Sequence, residues 1–213
     1  MKKIVAFGAS SSKKSINKQF ASYAASLISD ADSIIIDLND FEMPIYSIDY
    51  ENDKGIPEKA FKFKEIIKSA DGIIISFAEH NSVYTAAFKN IFDWISRIEK
   101  IVWYNKPMLL LSTSDGSRGA KTVLEIAHKR ISRGNPHSIP TFSLPNFDFA
   151  ALAIPVSIEL IISSLSIDFS NATASAILNN SSLSARLFNI FCSPKKNGPK
   201  PTLIYQQCYR SYN

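Results

Sequence analysis

Five short apolar runs alternate along the chain with segments of helical periodicity, and this alternation restricts the possible folds more than any other feature. The apolar runs are nearly continuous, which is typical of strands buried on both faces. They cover residues 3–7, 33–38, 72–77, 107–114 and 138–144. Helical periodicity predicts four helices, over 16–29, 55–70, 85–99 and 120–131. Strands that alternate with helices predict an α/β fold, a parallel sheet with helices on both sides.

The length and composition exclude several other classes of protein. A chain of 213 residues has room for one domain of this type. No apolar run approaches the roughly 20 residues that span a bilayer, and the run after Lys2 and Lys3 is too short for a signal peptide. The two cysteines and three histidines indicate neither a disulfide framework nor a metal site. We therefore expect a cytoplasmic protein without a metal or a membrane partner.

The net charge of +5 does not indicate a nucleic-acid-binding protein. Basic and acidic residues nearly balance over 1–149, and much of the excess lies in 150–213. The cluster HKRISRGNPH at 128–137 is the only basic one, and it is typical of a solvated helix end. A nucleic-acid surface needs a basic stripe, so we expect no such partner.

The loop after the first strand, GASSSKKSIN, is unusually polar for a strand-to-helix turn. Gly8 permits a sharp turn, and the loop opens a helix whose free N–H groups and dipole favour an anion. Hydroxyl and amide donors come from Ser10, Ser12, Ser15 and Asn17. The Walker and dinucleotide-binding glycine patterns are absent. The loop therefore predicts a site for a terminal monophosphate, and a serine-rich helix cap without a ligand is the alternative.

Two further loops lie after strands three and four, where ligands of parallel sheets bind. In 78–85, Asn81 can both donate and accept hydrogen bonds, which suits the edge of a heteroaromatic ring. His80 beside it suits either ring stacking or an exposed loop. In 112–119, two glycines let the backbone approach a ligand closely. Neither a hydrolase nucleophile elbow nor the acidic pair of a response regulator is present.

Three motifs in this order resemble the NAD(P)H-dependent FMN reductases, a branch of the flavodoxin-like proteins. Their phosphate loop is resembled by GASSSKKSINKQ. Their segment with Pro-Glu-Tyr-Asn and Lys-Asn-x-x-Asp-Trp is resembled by AEHNSVYTAAFKNIFDWISR, and their glycine turn by LLLSTSDGSRGA. The stretch 37–49 resembles the segment that borders their site. The resemblance spans about 1–147. It implies a three-layer α/β/α sandwich with a five-stranded parallel sheet in the flavodoxin-like order 2-1-3-4-5.

The resemblance also implies which residues hold FMN. The phosphate would be held by Ser10, Ser12, Ser15, Ile16 and Asn17. The isoalloxazine ring would be lined by Ala78, Glu79, His80 and Asn81 on one side and by Ser112, Ser114, Gly116 and Gly119 on the other. Ala78 and His80 depart from the proline and tyrosine of the family. Asp115 would make the flavin harder to reduce if it pointed inward.

The activity implied by the resemblance is hydride transfer from NAD(P)H to bound FMN and onward to a small acceptor such as a quinone or a flavin. The flavin supplies this chemistry, so no side chain is assigned as a catalytic acid or base. The alternative is a flavin-binding electron carrier or interaction module without NAD(P)H activity. Family members are commonly homodimers, and the loop with Phe41, Met43, Ile45 and Tyr46 is the candidate interface.

The composition changes near residue 150, so the chain is divided into a flavodoxin-like domain, 1–149, and an atypical C-terminal segment, 150–213. This segment contains 11 serines and only two acids. A reading-frame shift near codon 148 and a divergent extension both explain it. Within it, Ile158, Ile161, Ile162 and Leu165 share one helical face.

Overall fold

The computed structural model describes residues 1–147, in which seven strands, five α-helices and one 3-10 helix follow one another. The strands are β1 (Lys2–Ala9), β2 (Ala31–Ile36), β3 (Gly72–Phe77), β4 (Glu79–His80), β5 (Val83–Tyr84), β6 (Met108–Thr113) and β7 (Thr141–Leu144). The helices are α1 (Ile16–Ser26), α2 (Ile48–Lys54), α3 (Glu58–Ser69), α4 (Ala86–Ile98) and α5 (Lys121–Ile131). The 3-10 helix covers Leu38–Phe41.

The main sheet has the strand order β2-β1-β3-β6-β7, and all of its neighbouring strands are parallel. Counted along this sheet alone, the order is 2-1-3-4-5, so the predicted flavodoxin-like topology is confirmed. The order reverses between β1 and β3. The carboxyl ends of β1, β3 and β6 therefore lie side by side at one edge of the sheet, which is where such folds bind ligands.

Alternate residues of the central strands face two different helical layers. Val5, Phe7, Ile73, Ile75 and Leu110 belong to the apolar cluster that contains the buried faces of α3, α4 and α5. The intervening residues project from the opposite face of the sheet, where α1 packs against β1, β3 and β6. The predicted three-layer α/β/α arrangement is therefore present within the described residues.

Strand β2 differs from its prediction in position and in burial. It ends at Ile36 because Asp37 accepts a hydrogen bond from the Asn39 N–H and starts the 3-10 helix. Of its six residues only Ile36 is buried, and Ile35 is 39% exposed. The prediction that every strand is buried on both faces is wrong for the two edge strands, each of which has one neighbour: β7, at the other edge, has no buried residue at all.

The structure adds the 3-10 helix, helix α2 and strands β4 and β5, which the apolar pattern did not predict. Helix α2 begins after Ser47, whose side chain accepts a hydrogen bond from the Tyr50 N–H, and it ends at Gly55 with φ at 76°. Strands β4 and β5 form a short antiparallel hairpin in the second candidate loop. The hairpin turn consists of Asn81 and Ser82, which both have positive φ.

The predictions for 150–213 and for the frame shift lie outside the described residues, and the domain boundary near residue 149 stays a prediction. Among residues 1–147, no helix is long and apolar enough to cross a membrane. Within the same range, no cluster of His, Cys, Asp and Glu side chains is arranged to hold a metal ion.

Candidate functional site

Hydrogen bonds join the three candidate loops at the carboxyl edge of the sheet. Thr85 donates its hydroxyl hydrogen to the Ala9 carbonyl at 2.8 Å, which ties the second loop to the first. The amide of Asn17 donates to the Thr113 carbonyl at 3.0 Å, which ties the start of α1 to the end of β6. The three loops therefore lie together, as the predicted strand order requires.

The loop between β1 and α1 presents unused donors at a helix start. Ser15 caps α1 by accepting from the Lys18 N–H at 3.1 Å, and the Ser10 hydroxyl accepts from the Ser12 N–H at 3.2 Å. The N–H groups of Ile16 and Asn17 have no acceptor among residues 1–147. Together with the hydroxyl of the exposed Ser12, these donors and the helix dipole match the chemistry of a phosphate group.

Asn17 has a different side-chain role from the predicted one. Its side chain is 2% exposed and turns into the sheet, because the helix start packs directly on the strand ends. Its Oδ1 accepts from the Ser76 hydroxyl at 2.7 Å and from the Thr113 N–H at 3.1 Å. All of these groups are buried, so the amide anchors the loop, and only the backbone N–H of Asn17 is left for a ligand.

Gly8 lies inside β1, where the absence of a side chain allows the start of α1 to approach the strand closely. A Cβ atom at this position would lie 2.3 Å from the backbone nitrogen of Lys18 and 2.8 Å from the carbonyl carbon of Asn17. The chain turns tightly just beyond Gly8, since the Ser10 N–H donates to the Gly8 carbonyl at 2.8 Å. The missing side chain also lets the first turn of α1 sit on the end of β1.

Lys18 is also paired at the start of α1. Its ammonium group contacts the Asp37 carboxylate at the end of β2. The hydrogen bond from Lys18, together with the Asn39 N–H, lowers the pKa of Asp37 below its ordinary value. The charge of Lys18 is therefore compensated within the protein, whereas Lys13 and Lys14 are exposed.

The second loop forms the hairpin β4–β5, and its residues have separate environments. Ala78 and Glu79 are half-buried, whereas His80 and Asn81 are exposed. The carboxylate of Glu79 accepts from the Val123 N–H in the first turn of α5, at 2.9 Å. Asn81 has a φ of 50°, which asparagine tolerates better than most residues. Turn geometry therefore accounts for an asparagine at position 81, and its role in ring recognition stays a prediction.

The third loop, 112–120, is shaped by its own hydrogen bonds. Ser112 is fully buried and donates to the Gly119 carbonyl at 2.7 Å. The carbonyl of Gly116 accepts from the N–H of Gly119 at 3.1 Å. A Cβ at Gly119 would lie 2.6 Å from Ser143 Oγ, and its φ is +58°. Ser112 and Gly119 thus build the turn. Its accessible part consists of the half-buried Ser114 and the exposed residues 115–118.

Asn90 and Trp94 on α4 have a role that the sequence analysis missed. Asn90 accepts from the Tyr46 N–H at 2.9 Å and donates to the carbonyls of Met43 and Pro44. Trp94 donates its indole hydrogen to the Pro44 carbonyl at 2.7 Å. The Lys-Asn-x-x-Asp-Trp motif was the available signal, and two of its residues clamp the segment after the 3-10 helix.

The apolar side chains of the candidate interface differ in exposure, and their role in a dimer stays a prediction. Phe41 packs edge-on against Phe63, Met43 is buried, and Tyr46 packs edge-on against Trp94. Only Ile45, at 86% exposure, presents an apolar side chain fully to solvent. The clamped segment also borders a cleft of about 370 Å³ that Ser11 and the first turns of α4 complete.

Several known proteins are similar to this chain in sequence. A 2-hydroxy-1,4-benzoquinone reductase from Burkholderia sp is 38% identical over 120 residues, which are 55% of this chain and 62% of that protein. A quinone reductase from Escherichia coli K12 is 32% identical over 78 residues, which are 37% of this chain and 42% of that protein. The matches thus span less than two thirds of these curated relatives.

Structural similarity extends further along the chain than sequence identity does. The flavoenzyme NAD(P)H:(acceptor) oxidoreductase FerB from Paracoccus denitrificans has a TM-score of 0.61 and 20% identity. The similarity covers 78% of this chain and 95% of that one, and it shows a shared fold. The family model of the NADPH-dependent FMN reductases matches residues 2–146, which contain all three loops. The chain therefore belongs to the NADPH-dependent FMN reductase family.

Proposed function

We propose that this protein is an FMN-dependent oxidoreductase that takes a hydride from NAD(P)H and reduces a small acceptor, a quinone or a similar compound. The observation that carries the proposal is the set of free donors at the start of α1. Family membership supports FMN as the ligand, and the names of the two curated relatives support a quinone as the acceptor.

The residues of the first loop fit the phosphate end of FMN. The N–H groups of Ile16 and Asn17 and the hydroxyl groups of Ser10 and Ser12 would donate to the phosphate oxygens. Ser15 would hold the helix start in place through its bond to the Lys18 N–H. These donors are neutral, and the dipole of α1 adds an electrostatic field that favours the negative charge of the phosphate. The rigid anchor at Asn17 means that little ordering is needed on binding.

The ring would lie between the hairpin and the 112–119 turn. The backbone around Ala78, the side chains of His80 and Asn81, and the accessible part of the turn would orient it. FMN held there would supply the hydride and electron transfer between the nicotinamide and the acceptor. The exposed position of Asp115 favours the outward orientation, in which its charge is screened by solvent.

An absorption spectrum of the purified full chain after incubation with FMN tests the proposal. We expect a yellow protein that NADPH or NADH bleaches under anaerobic conditions and that a benzoquinone then restores to yellow. A yellow protein that neither nucleotide bleaches would indicate the alternative, a flavin-binding carrier. A protein that takes up no FMN would contradict both.

A comparison of FMN with riboflavin tests the phosphate loop separately. Ser12→Ala removes one hydrogen bond to a charged group, so we expect about tenfold weaker FMN binding. Riboflavin, which lacks the phosphate, is expected to bind equally to the variant and to the wild type. Fluorescence quenching titrations measure both affinities, with Ser11→Ala as the matched control. If Ser12→Ala lost the same affinity for FMN and for riboflavin, this would argue against phosphate binding at this loop.

We also propose that the protein is a homodimer in which Ile45 and the half-exposed Ile48 lie at the interface. Ile45 sits on the segment clamped by Asn90 and Trp94, and Ile48 begins α2 just after it. The family resemblance supports this assembly. Sedimentation equilibrium of the full chain measures the mass, and a monomer at micromolar concentration would contradict the proposal. The cytoplasmic location stays a prediction.

A further inference from the structure

The carboxylate of Glu79 forms a direct hydrogen bond between two of the candidate loops. Glu79 begins the hairpin that follows β3, and its Oε2 accepts from the Val123 N–H at 2.9 Å, 44 positions along the chain. Val123 belongs to the first turn of α5, directly after the 112–119 turn. This bond therefore links the two segments that are proposed to enclose the flavin ring.

Helix α5 depends on Glu79 because it lacks the usual features of a helix start. Its N-cap residue, Ala120, has no side-chain acceptor and has a left-handed conformation with φ at 57°. No acidic residue is present in the first turn of this helix. Glu79 supplies from another element both the missing acceptor and the negative charge that a helix start favours.

We propose that Glu79 is a positioning residue that fixes the separation of the two ring-binding segments and lowers the reduction potential of the bound flavin. This inference rests on the proposed function. The positioning role follows from the hydrogen bond between Glu79 and Val123, because loss of this bond would free the start of α5 from the hairpin.

The expected effect on the reduction potential of the flavin follows from the negative charge of the Glu79 carboxylate. A hydride adds negative charge to the flavin until a proton is taken up, so a nearby carboxylate disfavours the reduced form. The same carboxylate cancels part of the positive end of the α5 dipole, which would otherwise favour that form. Glu79 is half-buried, whereas Asp115 and Arg118 on the adjacent turn are exposed and better screened by solvent.

Two substitutions separate positioning from charge. Glu79→Gln retains a side-chain oxygen that can accept from Val123 but removes the charge, whereas Glu79→Ala removes both. Asp71→Asn is the matched control, because Asp71 also accepts a backbone N–H from another element, that of Lys3 at 2.8 Å, at the opposite edge of the sheet. The measurements are the melting temperature without flavin, the FMN dissociation constant and the midpoint potential of the bound flavin.

For Glu79→Gln we expect an FMN affinity close to that of the wild type and a higher midpoint potential. Reduced FMN should bind about tenfold tighter relative to oxidised FMN, which corresponds to about 30 mV for two electrons. For Glu79→Ala we expect about tenfold weaker binding of oxidised FMN and a lower melting temperature. Asp71→Asn should change neither the affinity nor the potential.

An unchanged potential in Glu79→Gln would overturn the role of the charge, and unchanged FMN affinity in Glu79→Ala would overturn the positioning role. A shift of the same size in Asp71→Asn would also overturn the inference, because it would show a general effect of removing an acid. If the wild type bound no FMN, the proposed function itself would fail. The melting temperatures without flavin would still reveal whether Glu79 stabilises α5.

Discussion

Replacing Asn17 with alanine is expected to lower the free energy of unfolding by about 3 kcal/mol or more. The substitution leaves three buried groups without partners, the Ser76 hydroxyl and the N–H and carbonyl of Thr113. Each such group costs about 1–3 kcal/mol. A loss of this size is a large part of the 5–15 kcal/mol that is typical of a whole domain. Urea denaturation of the flavin-free full chain measures it.

The matched control for this substitution is Asn39→Ala. The amide of Asn39 bonds to the Asp37 carboxylate in an exposed position, so its loss should change stability by no more than about 0.5 kcal/mol. If Asn17→Ala unfolded at the same urea concentration as the wild type, the anchoring role of Asn17 would be refuted.

Replacing Gly8 with alanine is expected to destabilise the protein by about 3 kcal/mol and to weaken FMN binding. The new Cβ would lie 2.7 Å from Lys18 Cα and closer still to its nitrogen, so the first turn of α1 must move away from β1. Backbone atoms cannot rotate aside as a side chain can. The N–H groups proposed to hold the phosphate would be displaced together with the helix. Urea denaturation and FMN titration measure the two effects.

Gly116→Ala provides the comparison for Gly8→Ala. A Cβ at Gly116 would meet only the Ser114 hydroxyl, at 3.7 Å, which is an ordinary contact. The flavin-free variant should therefore unfold within about 0.5 kcal/mol of the wild type. Equal stability losses at the two glycines would show that close approach at Gly8 is not the cause.

The fold was predictable where long apolar runs decide the structure. Strands β1, β3 and β6 occupy the centre of the sheet, and their continuous apolar sequences located them to within two residues. The same rule misjudged β2, since sequence alone does not reveal which strand lies at an edge. Strands β4 and β5 have two residues each, too few for any periodicity. Helix α2 was marked by Ser47 and Gly55, but it has no buried residues and therefore no apolar pattern.

The position of the candidate site was predictable, but the direction of several side chains was not. Parallel topology brings the loops after β1, β3 and β6 together, so their neighbourhood followed from strand order. The side chains of Asn17 and Glu79 bond to groups on other elements, and Ser112 bonds to Gly119 within its own turn, so none of these directions could be read from the sequence. Ser76 and Thr113 are polar residues in apolar strands, and that irregularity was the signal for the buried network around Asn17.

The bond between Asn17 and Thr113 joins two segments that are made at different times during protein synthesis. The two residues are 96 positions apart, so at about 5–20 residues per second roughly 5–20 s separate their appearance at the ribosome. The serines of the first loop are thus made well before the strand end that anchors the loop. A nascent chain that has not reached β6 holds this loop without its support, so the loop acquires its final conformation only after β6 has been made.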